Sequence, residues 1–149
     1  MASLAENKKA YFNYEILERF EAGIVLLGQE VKSIRLGRIN LAGSYIVFKD
    51  EEPYLLNAHV PPYQPKNVPA DYDPTRLRKL LLKEKEIKYL IGKSQERGLT
   101  LVPLRVYTKG GKIKLEFGLA RGRKTAGKKE LLKKRIVERE IERELKIRG

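Results

Sequence analysis

One stretch, Gly28-Gln-Glu-Val-Lys-Ser-Ile-Arg-Leu-Gly-Arg-Ile-Asn-Leu41, interleaves aliphatic residues with cationic and amide side chains. On a helix, Val31 and Ile34 are three residues apart and share one face, while Lys32 and Arg35 share another. The glycines at positions 28 and 37 are typical helix ends. The stretch therefore predicts a short helix that fills part of a core and presents a cationic edge. The ordinary alternative is an amphipathic helix whose charged side is only solvated.

Glu30 is the one acid in this stretch, and we expect Lys32, Arg35, Arg38 and Asn40 to face outward around it. A carboxylate on a phosphate-binding face causes repulsion unless it accepts hydrogen bonds from a base edge or holds an arginine in place. The sequence leaves both roles open for Glu30.

Composition favours a nucleic-acid partner. A chain of 149 residues is long enough for one domain with a core and an appendage. Its net charge of +13 exceeds what solubility requires and indicates a polyanion. The sequence shows no apolar run near the length of a membrane span and no signal peptide, which favours RNA or DNA over a membrane surface. The absence of cysteine excludes disulfides and is compatible with a cytoplasmic protein.

The charge is unevenly distributed along the chain. Residues 121–149 carry a net charge of +7, more than half of the total. Within them, Leu132, Ile136, Ile141 and Leu145 form only a thin apolar stripe on a charged helical pattern, which is marginal without a partner. We therefore predict two parts, a domain over residues 1–124 and a basic tail over residues 125–149 that is disordered when free.

The remaining pattern predicts a mainly β domain. Apolar and β-branched runs favour strands over 14–20, 23–27, 44–49 and 54–60, with a turn or bulge at 21–23. Lys109-Gly-Gly-Lys112 predicts a hairpin turn between two further strands. Asp73-Pro74 predicts the start of a helix over 75–82, and a second helical pattern ends at Gly98. About six strands with about three flanking helices favour an antiparallel β-barrel of the oligonucleotide-binding (OB) type.

Catalytic chemistry has little support in this sequence. His59 is the only histidine and lies in an apolar strand before two prolines, without a serine or cysteine elbow nearby. Gly118 to Thr125 resembles a phosphate-binding loop superficially, but it has Arg123 where a glycine must precede the lysine. We predict no catalytic residue, no metal site and no cofactor, and therefore a protein that is not an enzyme.

Cationic clusters from distant parts of the chain support RNA binding. Lysine and arginine neutralise phosphates, asparagine and glutamate read base edges, and aromatic or arginine planes stack on unpaired bases. If the fold brings the clusters together, they form one surface. The RNA-binding residues predicted from these clusters are Lys8, Lys9, Glu30, Lys32, Arg35, Arg38, Asn40, Arg78, Lys79, Lys114, Arg121, Arg123 and Lys124.

Several blocks along the chain resemble a known family. They comprise Asn7-Lys-Lys-Ala-Tyr-Phe-Asn-Tyr14, Glu21-Ala-Gly-Ile-Val-Leu-Leu-Gly-Gln-Glu-Val-Lys-Ser-Ile-Arg35, the Arg78-Lys-Leu-Leu-Leu82 run, Gly98-Leu-Thr-Leu-Val-Pro-Leu104 and Leu119-Ala-Arg-Gly-Arg-Lys124. In this order they resemble SmpB, the SsrA-binding protein family of bacteria, over essentially the whole chain. The resemblance implies an OB-type barrel that binds the tRNA-like domain of transfer-messenger RNA (tmRNA, also called SsrA).

The resemblance also implies roles for individual residues and for the tail. Glu30, Lys124 and a leucine of the run, Leu82 or a neighbour, match positions important for RNA binding in the family. The tail would become helical in the empty mRNA channel near the decoding centre and license trans-translation and ribosome rescue. The tail residues predicted to contact the ribosome are Lys128, Lys129, Lys133, Lys134, Arg135 and Arg139.

The tail also departs from the family pattern. An aspartate-lysine-arginine motif is usual in the family after the last strand, whereas this chain has Ala126-Gly-Lys-Lys129. We expect a monomeric cytoplasmic adaptor whose partners are tmRNA and the ribosome, not a membrane. The alternatives are a generic ribosome-associated protein that binds single-stranded RNA, and a nuclease.

Overall fold

The computed structural model describes residues 3–123. Eleven elements follow one another in this part of the chain. The strands are β1 Ser3–Glu6, β2 Tyr14–Ile24, β3 Tyr45–Lys49, β4 Glu52–Leu56, β5 Arg78–Leu81, β6 Leu99–Lys109 and β7 Lys112–Gly122. The helices are α1 Lys8–Asn13, α2 Gly28–Arg35 and α3 Glu84–Ser94, together with a 3₁₀ turn over Pro65–Asn67.

All seven strands join one antiparallel sheet in the order β1-β6-β7-β2-β5-β4-β3. The end strands β1 and β3 do not pair with each other within residues 3–123, so the sheet is not closed. The fold is OB-like, mainly β with three α-helices, which confirms the predicted class. Seven strands form where about six were predicted, because β1 and β5 were not predicted as strands, whereas the two strands predicted over 14–20 and 23–27 form the single strand β2.

The β6–β7 hairpin confirms the turn predicted from its two glycines. Gly110 and Gly111 have φ values of 58° and 75°, the left-handed geometry that a primed two-residue turn requires. The register shifts between Pro103 and Arg105, because proline has no N–H to donate to the sheet. This hairpin is the longest in the sheet, and its tip reaches α2.

The helix predicted over 75–82 is wrong, because this segment contains strand β5. Asp73 does cap a turn, since its Oδ1 accepts hydrogen bonds from the backbone N–H and the hydroxyl of Thr75. The turn is not continued, and Arg78 and Leu80 are buried while Lys79 and Leu81 are exposed. This period of two fits a strand with one buried face, and the buried ion pair described below fixes Arg78 in it.

The two strands predicted over 14–20 and 23–27 are one continuous strand up to Ile24. No turn interrupts β2 at 21–23, and its irregularity lies between Ile16 and Glu18 instead. Gly118 of β7 lies opposite this bulge, where a Cβ would meet the Ile16 Cγ2 atom at 2.9 Å. The missing side chain of Gly118 therefore allows β7 to pass the bulge.

The core consists mainly of strand residues, to which α2 and α3 each add one buried apolar residue. Ile34 and Leu41 are buried and Val31 packs against the same cluster, so the predicted core face of α2 is confirmed. Leu90 attaches α3 to this cluster. None of the helices within residues 3–123 is long and apolar enough to cross a membrane.

Candidate nucleic-acid interface

Glu30 lies at the centre of a buried ionic cluster that also contains Tyr72, Arg76 and Arg78, here called the Glu30 cluster. Its Oε1 accepts hydrogen bonds from the Leu27 N–H at 2.8 Å and from Arg76 Nη2 at 2.5 Å. Its Oε2 accepts from Arg78 Nε at 2.8 Å, Arg78 Nη2 at 2.6 Å and Arg76 Nε at 3.0 Å. Both Glu30 and Arg78 are 0% exposed. One carboxylate therefore binds two guanidinium groups.

Backbone carbonyl groups complete the surroundings of Arg78. Its Nη1 donates to the Ala58 oxygen at 2.8 Å, and its Nη2 donates to the Pro74 oxygen at 3.0 Å. The Tyr72 hydroxyl lies 2.8 Å from the Val60 carbonyl oxygen and 3.2 Å from Glu30 Oε2. These bonds compensate the cost of burying the charges, because buried ions are tolerated only when they are paired and hydrogen-bonded.

The pKa of Glu30 reflects two opposing effects. Burial by itself raises the pKa of a carboxyl group, because it disfavours the charged form. The hydrogen bonds from Arg76 and the Leu27 N–H, together with the charge and hydrogen bonds of Arg78, outweigh burial, and the pKa is lowered. Glu30 is therefore ionised at neutral pH.

The position of Glu30 decides between the two roles that the sequence left open. Glu30, one of the predicted RNA-binding residues, is buried, and Arg76 and Arg78 bind its carboxylate there. It holds arginines in place and is not exposed to a base edge. Through these contacts the first turn of α2 is attached to the segment that leads into β5. Arg78 is likewise buried and has no atom free to contact RNA.

A second feature is a half-open groove of about 310 Å³ between α2, the ends of β2 and β5, and the tip of the β6–β7 hairpin, here called the α2 groove. Arg35 crosses it and donates to the Gly111 carbonyl oxygen at 3.0 Å. Its apolar wall includes Ile24, Leu26, Val31, Leu81 and Ile113, and its cations are Arg35, Lys112 and Lys114. Within the described chain no Asp or Glu lines it.

The leucine run contributes to this groove in a defined register. Leu81 is 55% exposed and lines the groove, whereas the predicted Leu82 packs against the main core cluster. The alternation of β5 exposes Leu81, its last residue, on the side opposite the buried Leu80, and Leu82 follows the end of the strand. The geometry thus favours Leu81 over Leu82 as the leucine available to a ligand.

A third cationic feature surrounds α1. The Arg123 N–H donates to the Asn13 carbonyl oxygen at 3.0 Å, and Arg123 Nη2 donates to the Tyr11 carbonyl oxygen at 3.3 Å. These bonds bring the end of the described chain against the helix that carries Lys8 and Lys9, which are both exposed.

Sequence reasoning missed the aromatic residues of α1. Phe12 is 81% exposed, and Tyr11 is 41% exposed with Arg19 stacked 5.4 Å from its ring centre. Two adjacent aromatic residues shortly after two lysines, in the block Lys8 to Phe12, were the available signal, because such rings stack on unpaired bases.

The other predicted residues are dispersed over the surface. Lys32 lies 5.7 Å from the Tyr63 ring centre, and Arg38 and Arg121 are exposed. Asn40 is exposed, but its side-chain oxygen accepts a hydrogen bond from the Ala42 N–H at 2.9 Å. Lys79 is paired with Glu52 at 3.2 Å. The predicted residues that lie outside the described part of the chain are Lys124, Lys128, Lys129, Lys133, Lys134, Arg135 and Arg139.

Comparisons with known proteins agree with this architecture. The model of the family described as SmpB protein matches residues 4–147. The chain belongs to the SmpB family. An SsrA-binding protein of Carboxydothermus hydrogenoformans is 51% identical over 145 residues, which cover 97% of each chain. An SsrA-binding protein of Thermosynechococcus vestitus is 49% identical over 145 residues, 97% of this chain and 95% of its relative.

A solved structure also resembles the fold. Its description is "tmRNA-SmpB: a journey to the center of the bacterial ribosome", and its chain is 50% identical to this one. The TM-score is 0.67, with 80% of this chain and 83% of that chain covered. The resemblance inferred from the sequence blocks is thus confirmed. As a member of the SmpB family, the chain belongs to a family of RNA-binding proteins.

Proposed function

We propose that this protein binds the tRNA-like domain of tmRNA and delivers it to stalled ribosomes for trans-translation and ribosome rescue. The observation that carries the proposal is the α2 groove, which combines an apolar wall with Arg35, Lys112 and Lys114 and contains no carboxylate within residues 3–123. The names of the relatives, SsrA-binding proteins, and the tmRNA-SmpB ribosome structure support the same partner.

The groove suits RNA for a physical reason. Its cations are available to phosphate oxygens, and its apolar wall, which includes the exposed Leu81, can cover a base or ribose that leaves a stack. Shape and single-stranded elements dominate RNA recognition because side chains cannot read the deep major groove of an RNA helix. A folded tRNA-like domain offers both kinds of feature.

Glu30 acts in this scheme as a positioning residue. Its carboxylate holds the first turn of α2 against Arg76 and Arg78, and the last turn of the same helix carries Arg35 to the hairpin tip. A change at Glu30 is therefore expected to disturb the groove without removing any direct RNA contact.

The basic tail has a separate part in the proposal. Residues 1–124 form the RNA clamp, and residues 125–149 enter the empty mRNA channel and become helical near the decoding centre. The tail cations Lys128, Lys129, Lys133, Lys134, Arg135 and Arg139 contact ribosomal RNA there. The charge of the chain and its family support this division. The protein acts in the cytoplasm as a monomeric adaptor, not as an enzyme.

Competition binding tests the choice of RNA. The full chain should bind the isolated tRNA-like fragment of tmRNA saturably, and a large excess of unrelated single-stranded RNA should not displace it. A generic single-strand binder would show equal affinity for both, and that result would refute the proposal. Cleavage of the fragment in the presence of a divalent metal would instead favour a nuclease.

Deletion of residues 128–149 tests the division of labour. The shortened chain should bind the tRNA-like fragment with unchanged affinity, because the α2 groove is retained. It should fail to support the tagging of peptides on stalled ribosomes in a reconstituted translation reaction. Tagging at the full rate by the shortened chain would contradict the proposed role of the tail.

A further inference from the structure

A cavity of about 280 Å³ lies beside α1, between this helix and the 42–45 segment, and is here called the α1 cavity. Lys9 and Asn13 line it from α1, Ala42, Gly43 and Ser44 line it from the opposite side, and Val102 of β6 also contributes. It shares no lining residue with the α2 groove. Apart from Lys9, which was predicted to bind RNA, its lining residues have no part in the proposed contacts with tmRNA.

The walls of the α1 cavity are fixed before any ligand arrives. Asn7 is 7% exposed, and its side-chain amide donates to the Pro103 oxygen at 2.9 Å and to the Leu41 oxygen at 3.4 Å. Its backbone N–H donates to the Leu104 oxygen at 2.8 Å. Opposite, the Ser44 hydroxyl donates to the Leu41 oxygen at 2.5 Å. One buried amide thus joins α1, β6 and the 41–44 segment, and a preformed site loses less entropy on binding.

The lining offers polar groups that the described fold does not use. Within residues 3–123, the Asn13 side-chain amide, the Gly43 N–H and the Lys9 ammonium form no hydrogen bond or ion pair. An asparagine amide both donates and accepts, so it can pair with the edge of any base. The rings of Tyr14 and Tyr45 also line the cavity. A lysine for phosphate, an amide for a base edge and aromatic walls together suit a single nucleotide.

We propose that the α1 cavity binds one unpaired nucleotide of a partner RNA, with its base between Asn13 and the Ala42–Ser44 turn and its phosphate at Lys9. The proposal deepens the proposed function, on which it rests, by adding a second RNA site. The nucleotide comes either from tmRNA or from ribosomal RNA. The cavity lies where the chain leaves the barrel, because Arg123 is bound to the Asn13 and Tyr11 carbonyl oxygens. In sequence, the basic tail begins two residues after Arg123.

Two substitutions in the full chain test the cavity. Ala42→Phe places a ring at its wall, and Asn13→Leu removes the amide while nearly keeping the volume. Ala70→Phe is the matched control, because Ala70 is equally an exposed alanine and does not line the cavity. Affinity is measured separately for the tRNA-like fragment and for isolated small ribosomal subunits, and thermal melting checks that each variant folds.

We expect both cavity variants to bind one of the two RNAs about tenfold more weakly, the size of one lost base contact. Ala70→Phe should bind both RNAs as the wild type does, and the RNA that is affected identifies the source of the nucleotide. Wild-type affinity of both cavity variants for both RNAs would overturn the proposal while leaving tmRNA binding intact. If the wild type did not prefer the tRNA-like fragment to unrelated RNA, that result would instead count against the proposed function. The affinities for small ribosomal subunits would then still show whether the α1 cavity binds a nucleotide.

Discussion

The first turn of α2 buries Glu30 between two guanidinium groups, whereas its last turn holds Arg35 in solvent, 3.0 Å from the Gly111 carbonyl oxygen. Both ends of the helix are charged, but only the first is paired with opposite charge. In the Glu30 cluster the charges satisfy one another and fix the fold. In the α2 groove the cations have no carboxylate among the described lining residues. Pairing and burial, rather than charge itself, separate a structural arginine from one that is available to RNA.

Strand β5 repeats the contrast at neighbouring positions. Arg78 is 0% exposed and makes five hydrogen bonds to Glu30 and to the backbone carbonyl oxygens of Ala58, Arg76 and Pro74. Lys79 points to the other side and pairs with Glu52 in solvent. The two cations are adjacent in sequence and each pairs with a glutamate, but only the pair of Arg78 is buried.

The largest expected effect comes from removing the charge of Glu30. Glu30→Gln keeps the size of the side chain but leaves two guanidinium groups without their counter-ion. Breaking a buried pair in this way costs about 3–5 kcal/mol, and we place this variant at the upper end because two arginines are affected. Urea unfolding measures the change. A variant as stable as the wild type would show that the Glu30 cluster does not stabilise the fold.

Replacement of Arg78 in β5 should destabilise the fold somewhat less than Glu30→Gln does. Arg78→Met should destabilise the protein by about 3 kcal/mol, because methionine fills the apolar part of the space and Arg76 still pairs with Glu30. Lys79→Met is the matched control and should leave the unfolding midpoint nearly unchanged, because exposed ion pairs contribute little. Equal losses for the two variants would contradict the distinction between buried and exposed cations.

Glu30 and Arg78 also show which parts of the fold could be predicted from the sequence and which could not. Three features were predicted: the helix around Val31 and Ile34, the glycine turn of the β6–β7 hairpin, and the OB-like class. Each depends on local periodicity or turn chemistry. The burial of Glu30 and Arg78 was not predicted, because their contact joins residues 48 positions apart. The same contact helps to explain why the helix predicted over 75–82 is a strand, since tertiary pairing overrides a local cap signal.

Acid should weaken the Glu30 cluster, because protonation removes the charge of its carboxylate. The pKa of Glu30 is lowered in the folded chain, so the folded state binds this proton less readily than the unfolded chain. Its contribution to stability is therefore complete above the ordinary pKa of 4.5 and is lost as the pH falls through 4.5 towards the lower folded value. Unfolding midpoints measured over this range should fall more steeply for the wild type than for Glu30→Gln. Parallel curves would mean that Glu30 does not contribute to the acid sensitivity.

A substitution in the α2 groove should have the smallest effect on stability. It should have the clearest effect on binding of the tRNA-like fragment. Lys114→Ala should leave the unfolding midpoint unchanged, because within residues 3–123 its ammonium group forms no ion pair or hydrogen bond. If Lys114 contacts one phosphate, the slope of log affinity against log salt for the tRNA-like fragment should become shallower by about 0.7–0.9. Lys88→Ala is the control, because Lys88 is an exposed lysine on α3 that already pairs with Glu84 and does not line the groove. An equal change of slope for both variants would mean that the α2 groove adds only general positive charge, and the distinction between the two ends of α2 would then concern stability alone.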